Sequence, residues 1–314
     1  MERRLNLVVT CTNRKRAEAV DELRVSTLPQ MEPGERVEAW TQRLKSKGPG
    51  EIPASDLYVG NHWYIVRSII ADAAKRRIQL NLWVLSAGYG LIPIDARLHP
   101  YAASFAAGPD RVTTPDEAPD WWTALANWPG PAHQSPRTLE NLARETKPIP
   151  MLVAASAPYV GAVLRDLTAA KDILSTDRLA VISAGFKGDQ AIDDVLLTCD
   201  ARFLDKAKGQ GGTAHSLNAK LAAWALEHFD DWGDDFSALH NKFEATLADL
   251  VPQDQPKRAA VTDKEVLSFI VEHADDNRRR GHTRLLRDLR ASGKACEQKR
   301  FKGIYAAFVA GPRP

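Results

Sequence analysis

Four short apolar runs, residues 5–10, 80–85, 150–154 and 178–182, alternate with stretches of helical spacing, and this alternation restricts the fold more than any other feature of the chain. Each run is too short for a buried helix and nearly free of polar residues, as strands covered on both faces are. Between them, the spacing predicts helices over about 60–77, where Val66, Ile69, Ile70 and Ala73 share a face, and over 138–145, 157–169 and 217–229. The expected fold class is therefore α/β, a mostly parallel sheet covered by helices.

The chain of 314 residues, 44% hydrophobic and 26% charged, is long enough for one large domain and a small one. The stretch Val251-Pro252-Gln253-Asp254-Gln255-Pro256-Lys257-Arg258 reads as a linker, which divides the chain into 1–250, a linker over 251–261 and a module over 262–314. Charge divides at the same place. From Lys257 to the end there are 14 Lys/Arg against 7 Asp/Glu, whereas the preceding residues carry a net negative charge. A proline-rich insertion, about Pro93 to Pro136, holds Trp121, Trp122 and Trp128. Cys11, Cys199 and Cys296 are far apart and odd in number, which points to a reducing compartment and gives no zinc-ligand spacing. The apolar run from Leu5 to Val9 is too short for a signal peptide or a membrane span, so a cytoplasmic protein with no membrane partner is expected.

Two of the runs end in glycine elbows, Ser86-Ala87-Gly88-Tyr89-Gly90 and Ser183-Ala184-Gly185-Phe186-Lys187-Gly188. Small residues after a buried strand let a ligand approach the backbone at the carboxyl edge of a sheet. Neither elbow is Gly-x-Gly-x-x-Gly or a P-loop, and Ser86-Ala87-Gly88 is not a nucleophile elbow, so nicotinamide, P-loop and acyl-transfer enzymes are disfavoured. No cofactor or metal is expected. A third glycine-rich stretch, Gly209 to Asn218, is either an anion-accepting turn or an ordinary loop entering a helix.

Val8-Val9-Thr10-Cys11-Thr12-Asn13-Arg14-Lys15, Ala54-Ser55-Asp56-Leu57-Tyr58, and Leu85-Ser86-Ala87-Gly88-Tyr89-Gly90-Leu91-Ile92 followed by Pro100-Tyr101 resemble a bacterial family related to the peroxide-stress YaaA-like proteins. The resemblance covers residues 1–105 and extends more weakly to about 240. It implies the same α/β sheet and a place beside base-modifying or mobile-element defence systems.

The residues form separate candidate constellations. Cys11, Thr12, Asn13, Arg14 and Lys15 follow the first strand, where a thiol, a hydroxyl, an amide and cations suit a phosphate or ribosyl group. Tyr58 can stack on a base while Asn61 or His62 bonds to a sugar or ring nitrogen; Asp56 beside them is either an acid/base or a helix cap. Ser86, Gly88 and Tyr89 are expected to contact substrate, with Asp95 as an acid/base or ribose contact and His99 its partner. Ser183 and Gly185 line the second elbow, where Asp189, Asp193 and Asp194 either stabilise a ribosyl cation or serve a solvated helix start.

In the module, Thr262 and Glu265 have capping-box spacing, and leucine stripes predict three short helices. Arg284, Arg287, Arg290, Lys294, Lys299 and Arg300, with Arg278, Arg279 and Arg280, offer phosphate contacts for nucleic acid or a dock for an acidic protein. The leading expectation is an enzyme acting on a nucleobase, nucleoside or nucleotide, by N-glycosidic bond cleavage or exchange. Its catalytic groups would be Asp56, His62, Asp95 and Asp189, and nucleic acid its partner. The alternative is a non-catalytic nucleic-acid-binding or protein-docking component.

Overall fold

A computed structural model describes residues 3–132, 134–197, 199–200, 202–203, 216–232, 235–250, 259–273 and 281–310. The chain divides into two compact units, Met1–Val251 and Pro252–Pro314.

The larger unit is an α/β domain. Its strands, in chain order, are β1 (Arg3–Thr10), β2 (Ile52–Pro53), β3 (Ile78–Ser86), β4 (Gly90–Pro93), β5 (Arg97–Leu98), β6 (Met151–Ala154), β7 (Leu179–Ile182) and β8 (Leu196–Leu197). Six of them form a mixed sheet in the order β4-β3-β1-β6-β7-β8, in which only β4 runs antiparallel; β2 and β5 make a separate antiparallel pair. The chain leaves β1 toward β3 on one side and later resumes with β6 on the other. Because such crossovers are right-handed, opposite directions of travel place their helices on opposite faces. Helices Asn61–Lys75 and Leu217–Glu227 pack side by side, while Ala118–Ala126, Leu139–Thr146, Ala157–Ala162 and Leu164–Leu174 form a second packed group. The expected single helix over 157–169 is two, divided at Val163, whose backbone (φ −102°, ψ 13°) departs from the helix.

β1 lies at the centre of the sheet, and Leu5, Leu7, Val8 and Val9 are almost wholly buried. Register is fixed by a polar contact. Asn6, fully buried, donates to Thr146 Oγ1 (2.7 Å) and accepts from the Nδ2 of Asn81 (3.0 Å), its partner on β3. A one-residue slip would strand that amide in the core.

The first elbow does not open into a crevice; it turns the chain back into β4, and its polar backbone is engaged internally. Trp40 and Trp121 donate their indole N–H groups to the carbonyls of Gly88 (2.8 Å) and Ala87 (2.9 Å). Ser86 Oγ accepts from the Tyr89 amide (3.0 Å), and the buried Arg137 guanidinium donates to the carbonyls of Tyr89 (2.5 Å) and Leu91 (2.6 Å). Arg137 also donates to Trp128 (3.1 Å), tying the tryptophan-rich insertion to the hairpin.

The smaller unit contains helices Asp263–His273, His282–Ala291 and Gln298–Ala310 around Val266, Phe269, Ile270, Leu285, Leu286, Leu289 and Phe301. The Thr262–Glu265 capping box is formed: Glu265 Oε2 accepts from the Thr262 amide (2.7 Å), and the Glu265 amide donates to Thr262 Oγ1 (3.3 Å). Ala259–Ala260 pairs in parallel with Lys294–Ala295, and Val261 is buried in the same core. Residues 259–261, read from the sequence as the end of the linker, thus belong to the strand pair and core of this unit.

Candidate functional site

In a doubly wound sheet, loops diverge where adjacent strands send the chain to opposite faces, leaving a crevice at the carboxyl ends. Here that point lies between β1 and β6. A cleft of about 620 Å³ occupies it, within the size range of small-ligand sites. The β1 side supplies Thr10, Cys11, Thr12, Asn13 and Arg14; the opposite wall carries Ser156 and Tyr159, just beyond β6.

Two long helices begin at this cleft, with Gly60 before Asn61–Lys75 and Ser216 before Leu217–Glu227, and neither preceding residue caps its helix with a side-chain hydrogen bond. Their first-turn N–H groups carry partial positive charge and favour an anion. Asn61 Nδ2 donates to Ser216 Oγ (2.9 Å) and joins the two starts. Gly60 has φ +98°, and a Cβ there would stand 3.2 Å from Arg14 Cδ, so this glycine admits both the turn and the arginine beside it. No ion pair engages Arg14 among the described residues.

His62 also lines the cleft. Burial pushes its pKa down to about 4 although it hydrogen-bonds to the backbone of Thr10, so the ring is neutral at pH 7. Its Nε2 is shut away from solvent and has no partner among the described protein groups.

Below the cleft runs a buried polar chain. Cys11 Sγ and Tyr159 Oη share a hydrogen bond of 3.1 Å; Tyr101 Oη lies 2.8 Å from Tyr58 Oη and 2.7 Å from Ser86 Oγ. Burial raises the pKa of all three tyrosines, which stay protonated near neutrality. Lys15 Nζ sits 4.1 Å from the Tyr101 ring centroid and donates to the Thr12 carbonyl (3.1 Å). Desolvation lowers its pKa against the pull of Cys11 and Asp110.

The expected site residues thus separate. Cys11, Thr12, Asn13, Arg14, Asn61 and His62 meet at one cleft. Tyr58 is fully buried among Trp63 and Tyr101, so it offers no face to a base. Ser86 and Gly88 are inside the protein: a Cβ on Gly88 would lie 2.6 Å from the Tyr101 ring, so the close approach that the glycine permits is internal. Asp56 is exposed and lines neither this cleft nor its neighbour.

Tyr89 and Asp95 border a different cavity, of about 720 Å³, together with His99. The Asp95–His99 pairing is replaced by a contact of 3.2 Å between His99 Nε2 and the Gly48 carbonyl. At the second elbow, Asp189 Oδ1 accepts from the Ala191 amide (2.9 Å), Asp193 Oδ1 accepts from the Asp189 amide (2.8 Å), and Asp194 pairs with Lys171 (2.9 Å). These carboxylates organise a turn. Ser183, buried with its Oγ unpartnered among the described residues, belongs to a separate cavity of about 290 Å³, and Gly185 takes the left-handed turn beside it (φ +83°). No three-residue metal-ligating group occurs among the described residues.

Sequence reading missed Ser156 and Tyr159, whereas Ser216 belongs to the Gly209–Asn218 stretch read as either an anion-accepting turn or an ordinary loop entering a helix. The visible signal was the small-residue run Ala154-Ala155-Ser156 ending β6, which marks a strand end as the glycines do.

In the smaller unit, Arg284, Arg287 and Lys299 are exposed. Arg290 donates to the Cys296 carbonyl (2.9 Å), and Arg300 pairs with Asp263 (2.6 Å), so both have structural partners; Lys294 lies half-buried in the short strand. Arg278, Arg279, Arg280 and the Gly209–Gly212 stretch lie outside the described residues.

No family model matches this chain, and no curated protein or solved structure is detectably similar to it.

Proposed function

We propose that the larger unit binds a nucleotide, with its phosphate in the β1/β6 cleft, and that the smaller unit contacts nucleic acid. The observation that carries the first part is the meeting of two long-helix starts and Arg14, which no ion pair engages among the described residues, at the switch in strand direction. Asn13, Asn61 and Thr12 supply donors and acceptors for a sugar or base edge. Of the groups expected to serve N-glycosidic cleavage, His62 lines the cleft, and Asp56, Asp95 and Asp189 are not among the described residues lining it, so we read the site first as a binding site.

Calorimetric titration with the four nucleoside monophosphates and their nucleosides tests the reading. At least one nucleotide should bind more than 10-fold tighter than its nucleoside, and Arg14→Gln should remove most of that difference. Failure of every nucleotide to bind would overturn it. Incubation of the same panel, with DNA and RNA, followed by mass spectrometry for free base, tests for cleavage directly.

Protein docking remains a second reading for the smaller unit alone. Leu267 (42% exposed) and Val271 (56%) lie four residues apart on Asp263–His273 and leave apolar surface uncovered.

A further inference from the structure

The β1/β6 cleft has a neighbour. A second chamber of about 530 Å³ shares Asn13, Arg14, Val59, Gly60, Ser104 and Ala106 with it, so the two adjoin along the Asn13–Arg14 ridge. Their linings differ in kind. The first offers helix starts, hydroxyls and amides; the second is lined by Arg14, Lys15, Arg24 and Arg111 against Glu18 and Asp110.

The charges of the second chamber are unevenly satisfied. Asp110 accepts from Ser26 Oγ (2.8 Å), and Lys15 is held by the Tyr101 ring and the Thr12 carbonyl. Among the described residues, the one ion pair of Arg24 is a loose contact with Asp21 (3.6 Å), whose carboxylate is 94% exposed and strongly hydrated. Arg111 is half-buried, and its Nε is shut from solvent with no partner among the described protein groups. Two guanidinium groups on one chamber, neither in a close ion pair among the described residues, favour an anion with several acceptor oxygens.

We propose that the second chamber is a subsite for a second phosphate. The ligand of the composite cleft is then a nucleoside carrying phosphate at both its 5′ and 3′ positions, free or as a unit of a strand. This rests on the nucleotide reading of the first chamber and goes beyond it by naming the ligand class. The ligand lies across the ridge, with one phosphate at the helix starts and the other between Arg24 and Arg111.

Titration of the full chain with AMP, adenosine 3′,5′-bisphosphate and the dinucleotide pApA tests this, with guanosine counterparts in parallel. The bisphosphate should bind at least 10-fold tighter than the monophosphate of the same base. Arg24→Gln and Arg111→Gln, each made separately, should erase that advantage and leave monophosphate affinity unchanged, which also reports that the variants fold. Tighter binding of the dinucleotide than of the bisphosphate, lost in the same variants, would support the proposal and assign the strand as the source. Equal affinity for mono- and bisphosphate would overturn the second subsite while leaving the nucleotide reading intact. No binding of any of these ligands would overturn both.

Discussion

At the scale of single residues, what a side chain does here depends on the atoms left unengaged around it. Gly88 and Gly161 make the contrast measurable. A Cβ on Gly88 meets the Tyr101 ring at 2.6 Å, whereas one on Gly161, in helix Ala157–Ala162, meets nothing within 4 Å. Gly88→Ala should cost about 1–3 kcal/mol by overpacking. Gly161→Ala should stabilise by about 0.5–1 kcal/mol through helix propensity. Urea denaturation of both variants checks the pair, and equal effects would contradict the packing described. His62 gives a pH-dependent counterpart. Its folded pKa is depressed from 6.5 to about 4, so the unfolded chain takes up the proton first as pH falls. The His62 contribution is unchanged above about pH 6.5 and becomes progressively unfavourable down to about pH 4, by up to about 3 kcal/mol. His62→Asn should therefore lose less stability than the unaltered protein between pH 7 and 4.5, measured by denaturation at each pH. The sequence made Cys11 to Arg14 legible as one group because they follow a strand end. It did not reveal that Tyr58, Ser86 and Gly88 face one another through Tyr101, since that depends on packing between segments far apart in the chain.

At the scale of elements, end signals were easier to read than destinations. The Thr262–Glu265 box was legible because both partners lie within one turn, and Thr262→Ala should cost the smaller unit about 1 kcal/mol in thermal or chemical denaturation. The four main strands were legible from their unbroken apolar runs. β4 was not, because the return of the chain after Ser86 depends on Arg137 and two tryptophans reaching the hairpin from distant helices and loops. The second elbow misled for a related reason: its three aspartates serve the turn and a lysine, which composition cannot distinguish from a catalytic cluster. In the smaller unit, the arginine repeat on His282–Ala291 leaves Arg284 and Arg287 facing water while Arg290 turns to Cys296. If this helix follows a nucleic-acid backbone, Arg284→Gln with Arg287→Gln should weaken DNA or RNA binding and flatten its salt dependence by about two phosphate contacts' worth. Unchanged affinity and salt slope in fluorescence anisotropy would exclude that role for the pair.

At the scale of the molecule, two cores with separate residues imply two units that can be studied apart. Residues 1–250 and 252–314, expressed separately, should each unfold cooperatively; loss of a transition from either fragment, followed by calorimetry, would show that its core is insufficient alone. Within the larger unit, β1 leaves the ribosome before both of the strands that flank it. β1 pairs on one side with β3 and on the other with β6, whose last residue is Ala154. At about 5–20 residues per second, synthesis holds the apolar segment Leu5–Val9 without its second neighbour for on the order of ten seconds. During translation this segment is a natural target for holding chaperones, and nascent chains halted before residue 150 should remain protease-sensitive where longer ones become resistant. The centre of the finished sheet is thus made long before the second strand that encloses it.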